Sequence, residues 1–126
     1  VKNLFALAES KGIKVQEVQL RAFRGFYVKE VKIIVVSSLL NTAQKRTTLA
    51  HELGHAHYGD EAVLDQPMHE WQERRADEWA AQFLIAPQQY AEAESLHGPH
   101  PGAIAQHLNV TRELTEVWQT LIRKAA

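Results

Sequence analysis

The sequence predicts an α+β fold, a small antiparallel or mixed sheet packed on several helices. Three observations predict it. Two β-rich runs, Phe26-Tyr27-Val28 and Val31 to Val36, lie close together in the first third of the chain. Two long stretches with apolar residues at helical spacing follow, at about 42–57 and about 69–85. A last pair of short helices is expected over 103–124.

The elements follow in order. Leu4, Leu7 and Ala8 share one face of a helix over 2–11, and Gly12 is its stop. Ile13, Val15 and Val18 form a short extended piece. Lys29-Glu30, between the two β-rich runs, reads as a tight hairpin turn. From Thr42 to His57, at about 100° per residue, Arg46, Leu49, Ala50, Leu53 and Ala56 fall on one side of a helix and Thr48, His51 and His55 on the other. Gly59, Asp60, Asp65 and Pro67 mark a loop. The next helix runs from about His69 to Ile85 and stops before Pro87. Gln88 to Ser95 add another turn or two, and His97 to Gly102 form a loop. There is no repeat, low-complexity tract or linker. Residues 1–126 are therefore expected to form a single domain with the final helix pair, 103–124, as part of it. A chain of this size buries roughly two-thirds of its unfolded surface.

Composition narrows the function. With 14 Lys and Arg against 15 Asp and Glu, the chain has no basic excess to attract nucleic acid. It has no cysteine, which removes disulfides, thiol nucleophiles and zinc–thiolate sites together. No apolar run approaches the ~18 residues of a membrane span, and no basic-then-apolar start marks an export signal, so a cytoplasmic location is expected. Five of the seven histidines, His51, His55, His57, His69 and His97, fall in one middle stretch.

His51-Glu52-Leu53-Gly54-His55 reads His-Glu-x-x-His. Two histidines four apart on a helix project from one face, one turn above the other, and can take two corners of a zinc tetrahedron. Glu52 sits about 100° around the helix, within reach of a water held by the ion but not of the ion itself. Zinc lowers the pKa of such a water to about 7, and a carboxylate beside it can accept the proton and pass it to a leaving amine. A catalytic zinc needs a third protein ligand. The longer pattern ending in a third histidine fails, because Tyr58 and Glu61 stand where it needs Gly and His. Glu73 is the candidate instead, with Asp77 four residues on and so on the same face, ready to accept an imidazole N–H from His51 or His55. Taken alone, Glu73 and Asp77 would be an ordinary charged pair flanking Arg74 and Arg75. Glu70, Asp65 and His69 are weaker substitutes.

The segments Thr47-Thr48-Leu49-Ala50-His51-Glu52-Leu53-Gly54-His55 and Glu73-Arg74-Arg75-Ala76-Asp77-Glu78-Trp79-Ala80-Ala81-Gln82-Phe83-Leu84-Ile85-Ala86-Pro87 resemble the two signature segments of the ImmA/IrrE metallopeptidases. Trp79 stands where that family usually has phenylalanine, and Ala86 lengthens the run before Pro87 by one residue. The resemblance implies a zincin-like active-site helix and a zinc-dependent endopeptidase of the gluzincin type, often encoded by phages or mobile elements. It also implies a protein substrate, typically a helix-turn-helix transcriptional repressor; the balanced charge and the lack of an apolar span argue against direct contact with nucleic acid or membrane. A different class of function is a non-proteolytic, metal-stabilised antirepressor or protein-binding module.

Tyr58, Tyr90, His97 and His100 are candidates by residue type for a donor to the oxyanion. His57 falls on the back of its helix and reads as structural. Trp71 either lines the loop over the site or is half-exposed. The strand of Val31 to Val36 could offer an edge for a peptide to add by main-chain hydrogen bonds, or be a central core strand. Ile104 to Thr111, followed by Leu114, Val117 and Trp118, resembles a helix-turn-helix. Glu113 and Glu116 beside Arg112 argue against phosphate contact and for a pair that closes the core.

Overall fold

The computed structural model describes residues 3–125. The elements run α1 (Leu4–Ser10), β1 (Lys14–Val18), β2 (Gly25–Val28), β3 (Ile33–Ser37), α2 (Thr42–Tyr58), α3 (Gln66–Leu84), α4 (Pro87–His97), α5 (Pro101–Leu108) and α6 (Arg112–Ala125). The fold is α+β, a three-stranded mixed sheet with six helices packed on it.

Strand order is β1-β3-β2. β1 runs parallel to β3, with Val15 opposite Ile34, and β2 runs antiparallel to it, with Phe26 opposite Val35. β3 is thus the central strand, which decides between the two readings of Val31 to Val36 in favour of a core strand. Its residues Ile34, Val35 and Val36 are all buried, as expected of a strand paired on both sides. The hairpin turn is also longer than Lys29-Glu30. It spans residues 29–32, with Lys32 left-handed at φ 54° and its N–H donating to the Lys29 carbonyl, so Val31 is an exposed turn residue rather than strand.

The helices begin where their caps dictate. A capping box opens α2, with the Gln44 N–H on Asn41 Oδ1 (2.9 Å) and the Asn41 N–H on Gln44 Oε1 (3.0 Å). Gly59, left-handed at φ 66°, closes it. Asp65 and Pro67, read from sequence as loop, are the start of α3 itself. Asp65 caps it by accepting the Met68 N–H, and Pro67 fits its first turn, where no N–H is needed. Pro101 does the same for α5, which begins inside the stretch expected to be loop.

Two layers bury α2. The sheet lies on one side, and α3 packs on the other, meeting it where Gly54 faces Ala76. Buried residues therefore occur nearly all round the helix, including Thr48, Leu49, Ala50, Leu53 and Gly54, rather than on one apolar face. Ile34, Leu53, Ile85 and Ile104 anchor the core, and α6 closes it by packing on α3 and α5 through Leu114 and Trp118. Among the described residues, no helix is long and apolar enough to cross a membrane.

Candidate metal centre

His51 and His55 lie one turn apart on α2, their rings in edge contact at 4.7 Å. Their Nε2 atoms face each other at 3.1 Å. Glu73, on α3, reaches across the helix pair, with Oε1 3.3 Å from His51 Nε2 and Oε2 2.5 Å from His55 Nε2. The close approach of Gly54 to Ala76 makes this possible, since it lets the two helices pack backbone against backbone one turn from the site. Ligand atoms of these three residues all lie within 4.8 Å of one another, a group that could hold a metal ion.

The outer ring nitrogens fix the inner ones. His51 Nδ1 lies 2.6 Å from Asp77 Oδ1, and His55 Nδ1 lies 2.9 Å from Asp60 Oδ2. A carboxylate accepts only, so in each neutral ring the proton sits on Nδ1 and the Nε2 lone pair points inward. Two lone pairs and a carboxylate then converge with no donor between them, an arrangement that needs a cation at its centre. A tetrahedral ion with bonds of about 2.0–2.1 Å separates its ligand atoms by about 3.3 Å. Two of the three observed separations, 3.1 and 3.3 Å, match, and the third, Glu73 to His55 at 2.5 Å, would have to open by several tenths of an ångström to admit the ion. The residues present therefore fit a metal.

The electrostatics agree. Burial pulls the His51 imidazole down, but hydrogen bonds to Asp77 and Glu73 outweigh it and hold the ring up at about 10. His55 is raised too, its bonds to Glu73 and Asp60 overcoming burial. The Glu73 carboxyl is held far below its ordinary value by its bonds to the two rings. Each shift expresses one property, a centre that draws positive charge, as protons or as an ion.

Glu52 is buried, 8% exposed, with Oε2 3.9 Å from His51 Nε2. Burial raises its pKa, and His51 and His55 oppose the rise. It opens with His51 and Glu73 into a cavity of about 340 Å³. Arg24 and Gly25, at the start of β2, form the sheet wall of this cavity, and Leu114 and Val117 of α6 form the opposite one. Arg24 spans the two by pairing with Glu113 at 3.7 Å.

None of the four residues considered as oxyanion donors lines this cavity. Tyr90 is buried and hydrogen-bonded to Glu94 and Gln119. His97 pairs with His107, His100 stands before α5, and Tyr58 lies under the Arg75 guanidinium. Asp65 caps α3, and neither Glu70 nor His69 joins the three-residue group. His57 stacks on Trp79.

The sequence reading missed Asp60 and Arg75. Asp60 is read from sequence only as a loop marker, yet its side chain is 6% exposed and bridges His55 and Arg75, the latter at 2.6 Å. The usable signal was Gly59. A left-handed helix stop turns the next residue back along the last turn, and the Asp60 N–H indeed donates to the His55 carbonyl.

A helix bearing His-Glu-x-x-His, joined by a glutamate from the helix packed on it and backed by a small mixed sheet, defines a metallopeptidase-type domain. The chain matches the IrrE N-terminal-like domain over residues 8–117. It belongs to that peptidase family. No curated protein matches the sequence. Among solved structures it is similar to a Mycobacterium tuberculosis transcriptional regulator, with a TM-score of 0.70 and 16% identity, over 91% of this chain and 39% of that one. At that identity the likeness shows the fold, and this chain spans well under half of that protein's length.

Proposed function

We propose that this domain is a zinc-dependent endopeptidase whose substrate is a helix-turn-helix repressor or related regulator of a phage or mobile element. One observation carries the peptidase reading. Three ligand atoms from two helices converge on a single point, with a buried carboxylate that is not one of the three beside them. His51 Nε2, His55 Nε2 and the Glu73 carboxylate would hold the ion. Two imidazoles and one carboxylate, without thiolate, are a donor set that suits catalytic zinc. When bound, zinc supplies Lewis acidity that polarises a carbonyl and brings the pKa of water to about 7.

The chain's own groups do the rest. Glu52 accepts a proton at its carboxylate from the attacking water and returns it to the leaving amine. Its raised pKa suits both halves of that exchange. Asp77 and Asp60 hold the two rings in the Nδ1–H tautomer. β2 pairs on one side with β3, and its other edge is the place for an extended substrate to add beside Gly25. The regulator substrate is supported by the signature segments 47–55 and 73–87.

The test is to incubate the zinc-loaded domain with helix-turn-helix repressors and follow cleavage by mass spectrometry. Glu52→Gln should keep its metal and lose cleavage. If Glu52→Gln still relieves repression in cells, the domain acts as a metal-stabilised binding module rather than a peptidase.

A further inference from the structure

The two carboxylates behind the histidines are built differently. Asp77, behind His51, is 44% exposed, and among the described residues no lysine or arginine pairs with it. Asp60, behind His55, is 6% exposed, and Arg75 Nη2 lies 2.6 Å from its free oxygen. Water cannot solvate a carboxylate so enclosed, so the guanidinium sets how much negative charge Asp60 offers the His55 N–H.

The guanidinium is itself held. Its carbon lies 3.9 Å from the centre of the Tyr58 ring and 4.1 Å from that of the Trp71 ring. Tyr58 is the last residue of α2, and Trp71 stands one turn before Arg75 on α3. The stack therefore ties the end of the histidine helix to the glutamate helix, with Asp60 enclosed beside it. Packing alone does not account for arginine here. Among the described residues its Nε is buried with no hydrogen-bond partner, a penalty that an aliphatic side chain filling the space between two rings would avoid.

Resting on the reading of His55 as a metal ligand, we propose that Arg75 is a positioning residue for the ion. Through Asp60 it fixes the His55 ring and tunes how strongly that ring donates, while Tyr58 and Trp71 hold the guanidinium in plane. It touches neither substrate nor metal.

The probes are zinc alone, measured on the purified chain by competition with a coloured chelator, and the visible absorption of the cobalt-loaded protein. Arg75→Met keeps the bulk between the rings and removes the charge. It should weaken zinc binding about 10- to 100-fold, the range for lost outer partners, and shift the cobalt bands. Arg75→Lys should recover part of the affinity, since it restores charge without the planar fork. Asp60→Asn with Arg75→Met should bind no more weakly than Asp60→Asn alone, because the two act in series. Tyr90→Phe, which removes hydrogen bonds of a residue outside the cavity lining, controls for general loss of stability. Arg75→Met with wild-type zinc affinity and an unchanged cobalt spectrum would overturn the inference, as would losses at Arg75 that Tyr90→Phe reproduces. Should Arg75→Met not fold, Arg75→Lys carries the same two readouts. His55→Ala separates the two levels. If the wild type binds zinc and His55→Ala does not, the metal centre stands whatever Arg75 does. If the wild type binds none, the centre falls and this inference with it.

Discussion

A single methyl group at Gly54 should loosen the metal centre without touching any residue of it. A Cβ on Gly54 would sit 3.0 Å from the Ala76 carbonyl oxygen, 3.1 Å from Ala76 Cα and 3.4 Å from Ala76 Cβ. Two of the three are backbone atoms of α3, which cannot rotate aside. Comfortable contact begins near 3.5 Å, so α3 must retreat by roughly 0.4 Å. Ala76 is next to Asp77 and one turn past Glu73, so both carboxylates retreat with it. Metal sites tolerate about ±0.2 Å in their bonds. Gly54→Ala should thus weaken zinc about tenfold or more. Stability changes less, because overpacking of about 1–3 kcal/mol is offset by a helix-propensity gain of about 1 kcal/mol. The assay is chelator competition for zinc, alongside urea unfolding of the metal-free protein. Adding Ala76→Gly should not rescue affinity, because the two closest contacts are backbone. The reasoning is refuted if Gly54→Ala gains stability and binds zinc as tightly as wild type.

Further predictions concern the site and its supports. Zinc at about 100 times its Kd should stabilise the fold by about 2.7 kcal/mol, and Glu73→Ala should abolish most of that gain; calorimetry with and without metal checks both. Gly59→Ala forces a side chain into the left-handed region at φ 66°, which should cost about 1–2 kcal/mol and also weaken zinc by displacing Asp60, read by melting and by chelator competition. Asn41→Ala removes the side-chain acceptor of the Gln44 N–H, leaving only the Asn41 N–H bond to Gln44 Oε1, and should cost about 1 kcal/mol in urea unfolding, with zinc affinity unchanged. Gly25→Ala would drive a Cβ to 2.5 Å from the Val35 carbonyl and 2.8 Å from Thr48 Cγ2. It should destabilise by about 1–3 kcal/mol and distort the cavity wall, seen as a lowered melting temperature.

How far the sequence was legible follows from the range of each interaction. The helices were readable because periodicity and capping are local. Where boundaries slipped, at Gln66 and Pro101, turn-forming residues were serving as helix starts, and only the direction of the following chain tells these apart. The central place of β3 was not readable, since β1 reaches it in parallel across the intervening β2, and pairing over that distance leaves no mark on spacing. Tyr58, Tyr90, His97 and His100 show the same limit in the site. Residue type made them candidates, but which side chains line the cavity depends on how α6 and β2 close over α2.

The sequence by itself determined that His51 and His55 share a helix face with Glu52 beside them, because 3.6 residues per turn leaves no alternative once the helix forms. It also identified Glu73 and Asp77 as a pair on one later helix face. Only the tertiary structure decided that Glu73 meets both imidazoles, that each ring has its own carboxylate, and that Asp60 and Arg75 stand behind one of them. Those contacts join α2 to α3 and to the turn between them. They depend on the backbone approach at Gly54 and the reversal at Gly59, distances that packing sets and linear spacing does not encode.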